Sequence, residues 1–207
     1  MYIPEHFKEH DADRIASLLR DYPFALLVTV RQGLPQVSHL PLLYETDASG
    51  RAWLYGHFAR ANPQWQDLEQ GAEALAVFNG PHAYVSPGWY ERPGVPTWNY
   101  AAAHVRGHVE LVEDKGELSR LVGRLTENFE AGPDEARWQW SEHAERFDAM
   151  LGHIVGFRMA VEQVDAKFKL GQNRVEADRK NVCDRLSASA DTEAQALAQM
   201  TLTNLKY

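Results

Sequence analysis

Three strand-like segments follow one another between Phe24 and Phe58 with only short turns between them, and this spacing constrains the fold more than any other feature of the chain. Phe24–Arg31 is a nearly continuous apolar run rich in Val and Leu, the pattern of a buried strand. Gln32-Gly33 turns it back into a second strand over Gln36–Tyr44, a hairpin, and Asp47 to Gly50 turns again into a third over Arg51–Phe58. Further strands are expected at Ala74–Phe78, Ala83–Ser86, Asn99–Val112 and Ile154–Phe168, with Gly107 a candidate bulge. Helices interrupt these strands without regular βαβ alternation. The pattern therefore predicts a mainly β, or α+β, domain: an antiparallel barrel with peripheral helices. No internal repeat, Walker loop or GxGxxG is present, which argues against a doubly wound nucleotide fold.

The helices carry their own punctuation. Asp11 is a good N-cap, Ile15, Leu18, Leu19 and Tyr22 recur at helical spacing, and Pro23 ends the run. Asn62 can cap, Pro63 fits the first helical position, and Gly71 stands where a left-handed residue is wanted, so a helix of about two turns is expected over Pro63–Gln70. Asp114 and Glu117 form an acidic capping box before a stripe of Leu118, Leu121, Val122, Leu125 and Phe129. Ala136–Met150 also reads as helical. A proline-rich loop runs from Pro87 to Pro96, and the chain from Glu176 onward is polar and helix-prone, with Ser187–Glu193 as a linker.

Charge narrows the partners. The formal net charge is −8, with Lys and Arg dispersed apart from a modest cluster at Arg174, Arg179, Lys180 and Arg185. Duplex binding needs cations gathered against phosphates, and no helix-turn-helix pattern is visible, so any DNA association is expected to be weak or indirect. No apolar stretch approaches the roughly 20 residues needed to span a bilayer, so no membrane partner is expected. Cys183 is the single cysteine. With no basic leader before an apolar stretch, the expectation is a cytoplasmic protein.

Three motifs could carry chemistry. The first is His57-Phe-Ala-Arg60-Ala-Asn62-Pro63-Gln-Trp65. A helix start offers unpaired N–H groups and partial positive charge to an anion, and an arginine two residues upstream adds a fork that grips phosphate bidentately. The plainer reading is an ordinary cap beside a solvated arginine. The second is Pro96-Thr-Trp98-Asn99-Tyr100, whose aromatic rings would stack on a planar group or pin the loop to the core. The third is Lys167-Phe-Lys169-Leu-Gly-Gln172-Asn173-Arg174, which crowds donors around Gly171 as electron-rich oxygens require and as exposed turns also do. Ser38, His39 and Leu40 lie in the second strand, where a histidine is more often structural. His104 and His108 share a strand face without helical proximity, no cysteine or carboxylate set completes a metal site, and no nucleophile elbow is present.

Taken together, these motifs resemble the PaiB family, FMN-binding negative transcriptional regulators with a split-barrel flavin-binding fold. The likeness begins at Met1-Tyr-Ile-Pro4 and runs through Ser38-His-Leu-Pro-Leu42, Gly56-His-Phe-Ala-Arg-Ala-Asn-Pro-Gln-Trp65 and Val95-Pro-Thr-Trp-Asn-Tyr100. It continues through Ile154-Val-Gly-Phe157 to Lys169-Leu-Gly-Gln-Asn-Arg174, departing at Phe58 and Gly171, where leucine and serine are expected. The resemblance implies a split-barrel domain over residues 1–176, a helical extension over 177–207, and a homodimer holding FMN in a groove between subunits. Arg60, with the Asn62 helix start, would hold the phosphate. His39 and the neighbouring second-strand backbone at Ser38 and Leu40 would flank the isoalloxazine, and His57 in the adjoining motif is a further cofactor-binding candidate. Trp98, Asn99 and Tyr100, with Lys169, Gln172, Asn173 and Arg174, would close the ring site from one or both subunits. Repression of transcription is implied as well.

Two other functions remain open on these residues. A flavin-dependent oxidoreductase would need a slot beside the flavin for substrate or nicotinamide, and NAD(P)H would bleach the bound flavin. A haem-binding split barrel would replace two broad visible bands with one intense Soret band.

Overall fold

Asp11 accepts hydrogen bonds from the N–H groups of Asp13 and Arg14 and so opens helix α1, Ala12–Asp21, at the expected residue. The computed structural model describes residues 1–130, 138–143, 147 and 149–204. Its strands are β1 (Phe24–Arg31), β2 (Leu34–Pro41), β3 (Leu43–Thr46), β4 (Ala52–Ala59), β5 (Glu73–Val85), β6 (Thr97–Val112), β7 (Ile154–Ala160) and β8 (Gln163–Lys169). After α1 come α2 (Lys115–Phe129), α3 (Glu176–Ser187) and α4 (Thr192–Asn204). The eight strands form one sheet in the order β2-β1-β5-β6-β7-β4-β3, with β8 also on β6. The path ends on β2 and β3 and does not close, which is the mainly β, antiparallel split-barrel class. Among the described residues no helix is long and apolar enough to cross a membrane.

Two compact units share the chain. One comprises Met1–Tyr22, Phe78–His104 and Asp165–Tyr207, the other Pro23–Val77 and Val105–Val164. Within the second unit, Phe58 and Phe157 pack with ring centroids 5.2 Å apart, and Leu27, Leu42, Leu54 and Met159 are buried. A further core gathers Leu43, Val112, Leu118, Leu121, Leu125 and Leu151, with Tyr55 and Trp140 against it. In the first unit Leu18, Leu19, Phe168, Leu170, Val182, Leu186 and Leu197 are buried.

Several boundaries differ from the sequence expectation, each for a local reason. The second strand breaks after Pro41: proline has no N–H for the ladder, Leu42 donates instead to Pro23 O at 2.9 Å, and β3 then pairs with β4. Ala74–Phe78 and Ala83–Ser86 are one strand, β5, that runs straight through Asn79-Gly80-Pro81. Pro81 is tolerated because β1 pairs with β5 only at Leu75–Val77. Ile154–Phe168 is two strands, parted where Val161 N–H turns to Ala52 O and Glu162 N–H to Arg106 O, both at 3.0 Å. Gly107 answers to close approach: a Cβ there would lie 1.6 Å from Ala160 O.

The Pro63–Gln70 helix is instead a six-residue 3-10 helix, Pro63–Leu68, with Gln70 and Gly71 both at positive φ. It is tied to β1 by side chains. Arg31 Nε donates to Asp67 Oδ1 at 2.5 Å, Thr29 Oγ to Asp67 Oδ2 at 2.8 Å, and Arg31 Nη2 to Pro63 O at 2.5 Å. In α2, Asp114 caps Glu117 N–H as expected, but Phe129 is exposed beyond the buried stripe. Of the Ala136–Met150 expectation, residues 136–137, 144–146 and 148 lie outside the described residues; within the rest, Trp140–Glu142 is a 3-10 turn, and Met150 opens another, Met150–His153.

Candidate functional site

Arg60, Asn62, Ser38 and His57 all lie in the second unit: His57 on β4, Arg60 and Asn62 just past its end, and Ser38 on β2. Arg60 is clamped by backbone: its Nε donates to Gly152 O at 3.0 Å, its Nη2 to Ile154 O at 3.2 Å, and its N–H to His153 O at 2.7 Å. Its Nη1 donates to Glu113 Oε2 at 3.2 Å, an ion pair whose side chains are 40% and 53% exposed. The Trp65 ring lies 5.8 Å from the guanidinium carbon, and Trp65 Nε1 donates to Arg60 O.

Asn62 faces two ways. Its Oδ1 accepts the Gln64 N–H at 3.0 Å, and its Nδ2 donates to Ser38 Oγ at 2.8 Å. Ser38 in turn donates to Gln64 Oε1 at 2.5 Å, and Gln64 Nε2 donates to Leu27 O and Gln36 O at 3.0 and 3.1 Å. Gln64 is only 4% exposed, and sequence reasoning passed over it although it stands inside the first motif. The helix opening here is short, Pro63 has no N–H, and the Gln64 N–H is capped, so the positive character left for an anion resides in the Arg60 fork rather than in a helix dipole. His57 adds a half-buried ring whose buried Nδ1 has no hydrogen-bond partner among the described residues; burial pushes its pKa below the ordinary histidine value.

On β2, Ser38 and Leu40 share a face with buried Leu27 and Ala25, their partners in β1, whereas His39 lies on the opposite face. Apart from His39, that opposite face is apolar. Phe24, Leu26, Val28 and Val30 of β1 stand beside Pro41, His39, Val37 and Pro35 of β2, and Val77 and Leu75 of β5 flank Leu26 and Val28. Phe24, Val30 and Val37 are 65%, 66% and 52% exposed. His39 stacks on Phe24 with ring centroids 5.9 Å apart.

The other motif residues lie in the first unit. Gln172 closes on its own loop: its Oε1 accepts the Leu170 N–H at 2.8 Å and its Nε2 donates to Phe168 O at 2.5 Å. Lys169 Nζ donates to Thr97 Oγ, and its pKa is lowered by burial and then by Lys167. Arg174 lies over the Tyr90 ring at 4.4 Å, and Asn173 is exposed. Asn99 is buried, and its Nδ2 would lie 3.8 Å from a Cβ at Gly171. Trp98 is 54% exposed and borders a cavity of about 450 Å³ with His82, Tyr84, Trp89 and Glu193. Tyr100 has Lys167 Nζ at 5.3 Å from its ring.

Residues 1–163 match the family described as "Putative FMN-binding domain". Over 206 residues the chain is 37% identical to "Protease synthase and sporulation protein PAI 2" of Bacillus subtilis (strain 168), covering 100% of this chain and 99% of that one. Among solved structures it is similar to the flavocytochrome Anf3 from Azotobacter vinelandii (TM-score 0.62, 14% identity, 86% of this chain and 78% of that one). It is also similar to the FAD and haem binding protein from Mycobacterium smegmatis (TM-score 0.59, 20% identity, 83% and 78%). At such identities the structural likeness concerns the fold.

Proposed function

Because the chain belongs to the PaiB family of FMN-binding-domain proteins, we propose that it is a homodimeric flavin-binding regulator, with FMN as its flavin and Arg60 as the seat of the phosphate. The observation that carries this reading is the Arg60 fork. Two carbonyls and the backbone hold it in place, while its third side-chain partner is a half-exposed carboxylate that another anion can replace. Guanidinium geometry suits phosphate, and each charge-assisted bond is about twice as strong as a neutral one. When bound, FMN would supply a ring able to take up and release electrons. The chain's part is to hold the phosphate and to offer His57 Nδ1 and the His39–Phe24 pair as ring-side contacts.

The apolar outward face of β1, β2 and β5 supports the dimer. A monomer that leaves Phe24, Val30 and Val37 in water pays for that exposure, and a second copy laid on the same face removes it. Regulation then acts through a protein partner or through flavin occupancy, because a chain of net charge −8 is repelled by nucleic-acid phosphates.

The test is an FMN titration followed by flavin fluorescence on the wild type and Arg60→Ala, with melting curves as a fold check. Arg60→Ala should bind FMN at least about tenfold more weakly, the value of one lost charge-assisted contact. Unchanged affinity in a folded variant refutes the seat. Sedimentation of Val37→Glu tests the dimer separately: the variant should run as a monomer.

A further inference from the structure

Resting on Arg60 as the phosphate seat, we infer that Glu113 is a built-in competitor for that seat, so that FMN loads reversibly by displacing a carboxylate of the chain itself. Arg60 has two kinds of partner. Gly152 O and Ile154 O, at 3.0 and 3.2 Å, belong to the backbone and fix where the fork points. Glu113 Oε2, at 3.2 Å from Nη1, belongs to a side chain that is 53% exposed and can swing away. A carboxylate and a phosphate are both planar-edged oxyanions to a guanidinium, so the acid occupies the seat in the manner of the ligand.

The neighbouring acid shows which carboxylate is exchangeable. Asp114 is fixed as the cap of α2, its Oδ1 accepting the Glu117 N–H at 2.9 Å, so it cannot leave without fraying the helix. Glu113, one residue earlier, has no such duty toward α2. An exposed ion pair of this kind is weak enough for a dianionic phosphate to displace, yet it still competes for the fork and lowers apparent affinity. Once displaced, the Glu113 charge remains near the phosphate and favours release. The arrangement penalises the phosphorylated flavin specifically; a flavin without phosphate leaves the pair intact. Occupancy would then follow the free FMN concentration, which is what a flavin-responsive regulator requires.

The experiment titrates FMN and riboflavin, at fixed ionic strength, into the wild-type chain, Glu113→Gln, Arg60→Ala and the double variant. Glu113→Gln should tighten FMN by about two- to fivefold, the equivalent of one exposed ion pair, and leave riboflavin unchanged. In the Arg60→Ala background the same substitution should do nothing, because the two residues act through one contact. If Arg60→Ala does not fold, Arg60→Lys, which keeps a cation but loses the fork, takes its place. Equal FMN affinity in the wild type and Glu113→Gln, with Arg60→Ala weakened, overturns the competitor and spares the seat. Weaker FMN binding by Glu113→Gln makes Glu113 a support for Arg60 and overturns the inference too. An Arg60 variant that binds FMN as well as the wild type removes the reading beneath both.

Discussion

At the end of β4 the polar side chains reach far along the chain for their partners, whereas in the loop after β8 the Gln172 amide turns back on its own backbone. Gln64 meets Leu27 O and Gln36 O, and Arg60 meets Gly152 O and Ile154 O, pairings 28 to 94 residues apart. Gln172 meets Leu170 and Phe168, within four residues. Both regions looked alike as sequence, each a crowd of donors around a turn. The long-range set builds a rigid frame around one half-exposed cation, which is how a binding group is held ready. The short-range set shapes a loop, and its amide is already satisfied at both ends.

The largest expected effect tests the frame. Gln64→Leu removes the acceptor of the Ser38 hydroxyl, which keeps its bond from Asn62, and the donor to Leu27 O and Gln36 O, and an unmet buried group costs about 1–3 kcal/mol. We expect a loss of about 2–4 kcal/mol in stability by denaturant unfolding. Gln172→Ala removes only local bonds at a partly exposed loop and should cost about 1 kcal/mol. If the two losses are equal, or Gln172 is the greater, the contrast between a long-range frame and a self-contained loop fails.

How much of this could be read from the sequence depends on whether the signal was local. The Asp11 and Asp114 caps, the Gln32-Gly33 hairpin and the period of α2 were legible because each is decided within a few residues. The breaks at Leu42 and Val161 were not, since both arise where the chain exchanges one strand partner for another. The site divided in the same way. Arg60 and Asn62 were visible as residue types at a turn, but Glu113, 53 residues away, carries no mark of its role beyond being an acid before a helix cap. Gln64 was hidden because a polar side chain after Pro63 ordinarily faces water, and only the fold turns its amide into the sheet.

Acid sharpens the comparison next. In the folded chain the His57 pKa lies below 6.5 because burial disfavours the imidazolium. Below pH 6.5 the unfolded chain takes up this proton first, so His57 lowers stability as pH falls from 6.5 through the folded value. His57→Leu removes that dependence. Melting temperatures across pH 5–7.5 should fall less steeply for the variant, with little change at pH 7.5. The same slope in both proteins would mean the ring is reached by water, and it would lose its standing as a ring-side contact.

Lys169 offers the smallest effect and the reverse pH window. Its folded pKa is lowered from 10.5, first by burial and second by Lys167. Between the lowered value and 10.5 the folded chain has released a proton that the unfolded chain still holds, so stability attributable to this group rises with pH across that window. Below the window the full cost of the half-buried ammonium is present. Lys169→Met should therefore gain most over the wild type at neutral pH and lose that advantage as pH approaches 10.5, read as the difference in melting temperature between the two proteins. Lys167→Met should narrow the window without closing it, because burial is the larger cause and remains in force. If Lys167→Met abolishes the effect entirely, charge repulsion governs the loop. Lys169 would then belong with groups poised for an anion, and the line drawn between the loop and the Arg60 frame would have to be redrawn.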